Sequence, residues 1–349
     1  MNRRQALGML AASPVALLGG TGWGAATHER VRGVTVSCPT WGWEWGSDEM
    51  VQTLDLLAGL GVDWVSIHPY ARIHRDGRVP YRSLDPAPEW LTRPVREAHA
   101  RGMKVMIKPH LAYWGSGFSW RGAIAFADLE AWARFFAAYT GWVRDLARVT
   151  AAADAFVVGT ELDRTVSHDE AWREVVAQVR SVHGGKLTYG ANWDAFEDVP
   201  FWDTLDAVGV QAYFPVAKGV APEQVDADGL DRGWDPWLAR LRSLSERTGK
   251  PVVFTELGYD CSPYAADAPW DPPEGDVAMG ARVQERALDA AFRAIDREPC
   301  LVGAFLWKWF PGEVARGDFR LSEPRMQERI RRAWGSPPTV VGSPAGGSE

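Results

Sequence analysis

Cysteine is scarce in this chain, with only three among 349 residues. Three cysteines cannot form the set of bridges that holds small secreted domains together. Their spacing does not match a structural zinc site either. Cys38 and Cys261 both follow predicted strands, so one bridge between them stays open as an alternative.

Long apolar runs and excess positive charge are also missing. No run of about 20 apolar residues would span a bilayer. The formal net charge of -7 indicates no general attraction to nucleic acid or to anionic membranes. No Gly-x-Gly-x-x-Gly motif follows the first predicted strand, which weakens a dinucleotide-binding hypothesis. We therefore expect no nucleic-acid partner, no cofactor and no metal.

The two ends of the chain differ from the rest in composition. Residues 1–27 pair Arg3 and Arg4 before an apolar stretch and end near the small residues Ala25 and Ala26. This pattern predicts a bacterial export signal, of twin-arginine type or an ordinary secretory one. The protein would then be periplasmic or secreted, without membrane insertion after signal removal. Residues 336–349 are rich in Pro, Gly and Ser, which predicts a disordered tail.

The sequence pattern of residues 28–335 predicts one domain in which strands and helices alternate. Short, nearly continuous apolar segments predict eight strands buried on both faces, at residues 33–37, 63–68, 104–110, 155–161, 187–193, 207–213, 251–256 and 301–307. Amphipathic stretches between them predict helices at 48–60, 129–149, 168–182, 237–247 and 281–297, with a small helix near 199–205. Eight such units predict a single (β/α)8 TIM barrel. Long loops at 214–233, 260–280 and 310–322 would lie on its C-terminal face.

Two glutamates close apolar strands with the same short motif. Glu161 follows the run AFVVGT, and Glu256 follows PVVFT; each is followed by Leu. A carboxylate at the end of a buried strand is costly to place without a partner or a purpose. The C-terminal strand ends of a barrel carry its active site. Glu161 as acid/base and Glu256 as nucleophile would form the carboxylate pair of a retaining glycosidase.

Other strand ends carry polar and aromatic residues that would converge on the same face. The candidate substrate-binding residues are Trp41, His68, Tyr70, Lys108, His110, Thr160, Asn192, Trp193, Tyr213 and Trp307. Tyr213 could orient Glu256, and Trp307 could form the floor under the reacting sugar. The 19 tryptophans, many in predicted loops, offer flat apolar surfaces to sugar rings.

Three alternatives remain for these residues. His68 and His110 follow neighbouring strands and could share a metal, although no third ligand is evident. Lys108 could form a Schiff base, but an aldolase would not explain two glutamates and many tryptophans. The cluster from Trp41 to Trp45 could be a folded-back part of the core.

The two glutamate segments, GTEL at 159–162 and FTELGY at 254–259, resemble clan A of the retaining glycosidases, whose catalytic residues follow strands four and seven. They look most like glycoside hydrolase family 113, whose characterised members are endo-β-1,4-mannanases. The resemblance implies a barrel from about residue 33 to 334 with Glu161 and Glu256 in the two catalytic roles. One departure is Thr160, because most members of the clan have Asn there, holding the sugar 2-hydroxyl.

The leading hypothesis is therefore a monomeric retaining β-glycosidase that acts on β-1,4-mannan or mannooligosaccharides. A second hypothesis keeps the mechanism and changes the substrate to another β-linked polysaccharide, such as a glucan or an exopolysaccharide. A third is a carbohydrate-binding barrel without catalysis, in which one glutamate would be displaced from the barrel mouth.

Overall fold

The protein is an eight-stranded parallel barrel surrounded by helices. The structure, a computed structural model, describes residues 30–271, 275–312 and 319–335. Its strands are β1 Val31–Val36, β2 Trp64–Ile67, β3 Tyr70–Arg72, β4 Lys104–Ile107, β5 His110–Ala112, β6 Ala155–Thr160, β7 Lys186–Asn192, β8 Val208–Gln211, β9 Val252–Leu257 and β10 Leu301–Trp309. The closed barrel has the order β1-β10-β9-β8-β7-β6-β4-β2, which confirms the predicted TIM barrel.

Seven α-helices are described, and most connect one barrel strand to the next. They are α1 Asp48–Gly59, α2 Glu89–His99, α3 Leu129–Val149, α4 Asp169–Arg180, α5 Ala227–Thr248, α6 Val277–Arg297 and α7 Pro324–Trp334. The link between β7 and β8 contains only short 3-10 turns at Phe196–Asp198 and Trp202–Thr204, where a small helix was expected. Within the described residues, no helix has the length and apolarity needed to cross a membrane.

The third predicted strand, 104–110, is wrong as a single element. β4 ends at Ile107, and β5 begins at His110 and pairs with β3 outside the barrel, with Tyr70 opposite His110. Pro69 and Pro109 interrupt the two strands at the same place, because proline has no backbone N–H to continue a ladder. The chain thus turns out of the barrel just beyond His68 and Lys108.

Three helices also differ from the prediction. α5 begins at Ala227, ten residues before the expected start, and keeps Pro236 inside it. Asp226 caps this helix by accepting a hydrogen bond from the Gly229 N–H, so the helix starts within a Gly- and Asp-rich stretch that resembled a loop. α2, which contains Pro94, and α7 were not predicted.

The barrel interior changes from apolar to polar along its axis. Its lower part is filled by an apolar cluster that includes Val31, Trp64, Met106, Val253 and Phe305. The upper part holds buried polar side chains at or just beyond the C-terminal strand ends, namely His68, Lys108, Thr160, Asn192, Gln211 and Glu256. Burying such groups is unfavourable without partners. Their concentration at this end of the barrel therefore indicates a functional site rather than a contribution to stability.

The remaining expectations about the chain concern its cysteines and termini. Cys38, Cys261 and Cys300 are all free thiols, so the open alternative of a Cys38–Cys261 bridge is not realised. The predicted export signal at 1–27 and the predicted disordered tail at 336–349 lie outside the described residues.

Candidate active site

A cleft of about 920 Å³ opens at the C-terminal end of the barrel. Six of the twelve sequence-predicted site residues line it: Glu161, Asn192, Trp193, Tyr213, Glu256 and Trp307. Nine others that the sequence did not single out line it as well, namely Tyr113, Trp120, Arg121, Asp194, Asp260, Pro269, Trp270, Asp271 and Phe319. The two glutamates from β6 and β9 therefore face one cavity.

Glu256 is almost completely enclosed, with 2% of its surface exposed. Its two carboxylate oxygens bind different donors. Lys108 Nζ lies 2.5 Å from Oε1, and the Tyr213 hydroxyl donates to Oε2 at 2.6 Å. His110 Nε2 lies 3.6 Å from Oε1, beyond a good hydrogen bond. The carboxylate is thus held at both ends in one orientation.

Lys108 is fully buried, and Glu256 is its counter-ion. Burial lowers the pKa of Lys108 from its usual value, while the nearby Glu256 carboxylate opposes that shift. Its Nζ also donates to the Thr255 carbonyl at 3.1 Å and lies 4.7 Å from the centre of the Trp307 ring. Burial, followed by the charge of Glu256, raises the pKa of Tyr213 well above 10, so this phenol stays a donor.

Glu161 is positioned by an unusual backbone conformation. It directly follows β6 with φ of 55°, in the left-handed region that non-glycine residues rarely adopt. Its backbone N–H donates to the Gly190 carbonyl at 2.8 Å, which anchors the turn to the neighbouring strand. Backbone strain of this kind is characteristic of functional sites, where the surrounding structure maintains it.

The Glu161 side chain pairs with Arg121, which lies in the loop after β5. Arg121 Nε and Nη2 both donate to Oε2, at 3.0 and 2.5 Å, and within the described residues Oε1 accepts no hydrogen bond. Burial disfavours the charge of Arg121, but the Glu161 and Glu256 carboxylates outweigh it and raise the Arg121 pKa. Arg121 is therefore a permanent cation beside Glu161.

His68 and His110 form a stacked pair beneath the cleft. Their ring centres are 4.9 Å apart with an angle of 23° between the planes, and Trp307 lies against both rings. Burial lowers the pKa of both imidazoles well below 6.5, so both are neutral. Among the described residues, no group of three His, Cys, Asp or Glu side chains could hold a metal ion.

Asn192 and Thr160 have surroundings that differ from their expected roles beside the sugar. Asn192 Nδ2 donates to Oδ2 of Asp163 at 2.9 Å rather than to either catalytic candidate. Burial raises the Asp163 pKa to about 6. Thr160 is 1% exposed, and in the part of the chain that the structure describes its hydroxyl has no hydrogen-bond partner. It lies below the cleft surface rather than lining it.

The tryptophans near the first strand occupy two kinds of position, in the core and in the lining of a surface cavity. Trp45 is fully buried and donates its indole N–H to the Val36 carbonyl at 2.9 Å, as the core interpretation expected for this cluster. Trp41 and Tyr70, both predicted to bind substrate, line a separate cavity of about 310 Å³ with Trp43. Tyr70 connects this cavity to the cleft floor, since its ring contacts the edge of His68.

The cleft itself is lined by a stacked pair of tryptophans. Trp193 and Trp270 stack with ring centres 4.9 Å apart and only 5° between their planes, and Trp270 is 51% exposed. Sequence reasoning missed Trp270 and Arg121 because neither lies at a strand end. The available signal was weaker: both occur in aromatic-rich loops that follow strands, and such loops lie on the active face.

Comparison with protein families decides the classification. The model of Glycoside Hydrolase Family 113 matches residues 39–317. The chain belongs to this family. It is therefore a glycosidase, in agreement with the two carboxylates that face its cleft. No curated protein matches the chain in sequence.

Solved family 113 structures share this fold. The β-mannanase AaManA from Alicyclobacillus acidocaldarius, solved in complex with ManMIm, is 27% identical; the match covers 87% of this chain and 97% of that one, with a TM-score of 0.75. A family 113 β-1,4-mannanase complex is 20% identical over 88% of this chain and 100% of that one, with a TM-score of 0.76. A Ruminococcus gnavus β-glucuronidase shares the fold at 13% identity, with a TM-score of 0.59, covering 87% of this chain and 50% of that one.

Proposed function

We propose that this family 113 glycosidase cleaves β-1,4-linked mannan or mannooligosaccharides with retention of configuration. Glu256 is the nucleophile and Glu161 the acid/base. The observation that carries the assignment is the different hydrogen bonding of the two carboxylates. Glu256 accepts from donors at both oxygens, whereas Glu161 accepts at one oxygen only.

The surroundings of Glu256 suit an ionised nucleophile. A buried carboxylate needs a counter-ion and hydrogen bonds to remain charged, and Lys108 and Tyr213 supply both. Each carboxylate oxygen keeps a second lone pair after accepting one hydrogen bond. One lone pair thus remains available to attack the anomeric carbon, while the donors prevent the side chain from rotating away.

The surroundings of Glu161 suit a group that gains and loses a proton. In the first step Glu161 protonates the departing glycosidic oxygen while Glu256 bonds to the anomeric carbon. In the second step Glu161 removes a proton from water, and that water displaces Glu256 from the sugar. Both transfers need a carboxyl oxygen without a protein donor, which Oε1 provides.

Aromatic rings and charge in the cleft favour a neutral glycan. Trp193, Trp270 and Trp307 offer apolar ring faces for the C–H faces of sugars. The lining residue Arg121 and the buried Lys108 are each bound to a catalytic glutamate. The exposed charged residues lining the cleft are Asp194 and Asp271, and they would repel an anionic sugar. This distinguishes the cleft from one that binds a glucuronide.

Mannan is chosen among neutral β-linked polymers because the family 113 structures that resemble this chain are described as β-mannanases. We further propose export by the signal at 1–27, a periplasmic or secreted location, and action as a monomer.

A substrate screen tests the main proposal. The purified protein is incubated with β-mannan, β-glucan, β-xylan and a glucuronic acid polymer, and the products are identified.

The same experiment includes proton NMR of the first-formed product. We expect release of mannooligosaccharides with the β-anomer appearing first, since double displacement retains configuration. An α-anomer formed first would exclude the nucleophile role of Glu256. Binding of mannan without any product would instead support the non-catalytic barrel, and faster cleavage of another polymer would replace the substrate.

A further inference from the structure

Arg121 occupies one specific position on the proposed acid/base. It lies in the 3-10 turn Arg121–Ala123, which packs against the turn Asp163–Thr165 just after Glu161. Both of its hydrogen bonds reach Oε2 of Glu161, and its side chain is 15% exposed within the cleft wall. Because Arg121 comes from a different loop, its contact with Glu161 is made by tertiary structure alone.

A guanidinium group has donors only and cannot accept a proton or a hydrogen bond. A proton on Oε2 would therefore take the place of at least one of the two hydrogen bonds from Arg121. A proton on Oε1 leaves them intact, because Oε2 then accepts as the carbonyl oxygen. The arrangement thus selects which oxygen of Glu161 carries the proton.

We propose that Arg121 is a positioning residue that directs the catalytic proton of Glu161 to Oε1, the oxygen without a protein donor. This proposal rests on the acid/base role of Glu161. In the first step the proton then faces the glycosidic oxygen. In the second step the ionised carboxylate keeps the same orientation, so the same oxygen accepts the proton from water.

Several titratable groups face Glu161 from different elements: Lys108 and Arg121 on the loops after β4 and β5, Asp163 after β6, Tyr189 on β7, Tyr213 after β8 and Glu256 on β9. Of these, only Arg121 makes a hydrogen bond to the Glu161 carboxylate. Replacing it should therefore have the largest effect on proton transfer.

Two substitutions separate the charge from the geometry. Arg121→Gln keeps a donor but removes the charge, whereas Arg121→Lys keeps the charge but loses the two-pronged donor. Arg173→Gln is the matched control, because Arg173 pairs with Asp169 and Asp203 outside the cleft. The kcat/KM is measured for all three variants on a mannooligosaccharide and on a dinitrophenyl β-mannoside. Thermal unfolding reports on folding.

On the oligosaccharide, Arg121→Lys should lower kcat/KM about tenfold although it keeps the charge, because an ammonium cannot hold Oε2 with two fixed donors. Arg121→Gln should lose at least as much, because it loses both the charge and the two-pronged contact. On the dinitrophenyl substrate kcat/KM should change little in either variant, since this leaving group needs no proton. Arg173→Gln should match the wild type throughout.

Wild-type kcat/KM on the oligosaccharide in a folded Arg121→Lys protein would overturn the proposal, because the charge alone would then be sufficient. An equal loss on both substrates would also overturn it, because the defect would then not lie in proton transfer; Arg121→Lys provides this test even if Arg121→Gln fails to fold. A failure of the proposal for Arg121 can be distinguished from a failure of the proposed function. If Glu161→Ala is rescued by azide while the Arg121 variants behave as wild type, only the role of Arg121 is wrong.

Discussion

Lys108 and Glu256 form a buried ion pair at the base of the cleft, with Nζ 2.5 Å from Oε1. Their side chains are 0% and 3% exposed, so water cannot compensate either charge when the other is removed. Breaking a pair of this kind by removing one partner typically costs about 3–5 kcal/mol. The pair therefore links the stability of the barrel to the chemistry of the proposed nucleophile.

Replacing Lys108 by Met should have two measurable effects. The unfolding free energy should fall by about 3–5 kcal/mol, because Glu256 loses its buried counter-ion. The kcat should fall about 100-fold, because the nucleophile loses a positioning donor. Denaturant unfolding and steady-state kinetics measure both. The double variant Lys108→Met/Glu256→Gln should recover stability without activity, and Lys218→Met, at an exposed position, should change neither.

Glu161→Ala should lose activity according to the leaving group. On mannooligosaccharides we expect a loss of about 10²–10⁴-fold, the usual value of acid–base assistance. On a dinitrophenyl β-mannoside the first step needs no proton, so a glycosyl-enzyme should form and accumulate. Azide should then fit the vacated space and yield a β-mannosyl azide, detected by NMR. Equal losses on both substrates with no effect of azide would remove Glu161 from the acid/base role.

Trp193→Ala should lower kcat/KM for long substrates. A sugar that loses one aromatic surface should lose about 0.5–1.5 kcal/mol of binding, which is roughly three- to tenfold in kcat/KM. The effect should be seen on mannopentaose and be small on an aryl β-mannoside, which occupies fewer positions. Trp43→Ala is the control, because Trp43 is 41% exposed and does not line the cleft. An equal loss in both variants would argue against stacking at Trp193.

Asp163 should make stability depend on pH. Its pKa is raised by burial to about 6 from 3.8, so between these values the folded protein binds a proton that the unfolded chain has released. Stability contributed by Asp163 is therefore present below about pH 4 and is lost as pH rises through about 6. Relative to the wild type, Asp163→Asn should gain about 2–3 kcal/mol between pH 4 and pH 7.

Denaturant unfolding at several pH values measures this difference. Asp228→Asn, at an exposed position in the first turn of α5, is the control and should show no comparable trend. A gap between Asp163→Asn and the wild type that stays constant with pH would show that Asp163 is ionised throughout this range.

The sequence predicted the barrel and its two glutamates because both depend on local patterns. Buried parallel strands are continuous apolar runs, and their C-terminal ends must meet at one face of a closed barrel. Glu161, Glu256 and Tyr213 could thus be brought together before any coordinates existed. The proline pair that ends β2 and β4 was present in the sequence, but its consequence, the separate β3–β5 ribbon, depends on register.

The contacts between loops could not be predicted in the same way. No local sequence pattern in the loop after β5 predicts that Arg121 contacts Glu161, since that contact depends on how two turns pack together. Asn192 was placed correctly at its strand end, yet the partner of its amide, Asp163, was not predicted. Strand ends are determined by topology, whereas side-chain partners are determined by packing.

Covalent labelling of Glu256 tests the central claim most directly. A 2-deoxy-2-fluoro-β-mannosyl or mannobiosyl fluoride should react, because fluoride leaves readily while fluorine at C2 slows the second step more than it slows the first. Intact-protein mass spectrometry should find one sugar per chain, and peptide mapping should locate it on Glu256. A label on any other residue, or active enzyme that turns the reagent over without accumulating an adduct, would contradict the account.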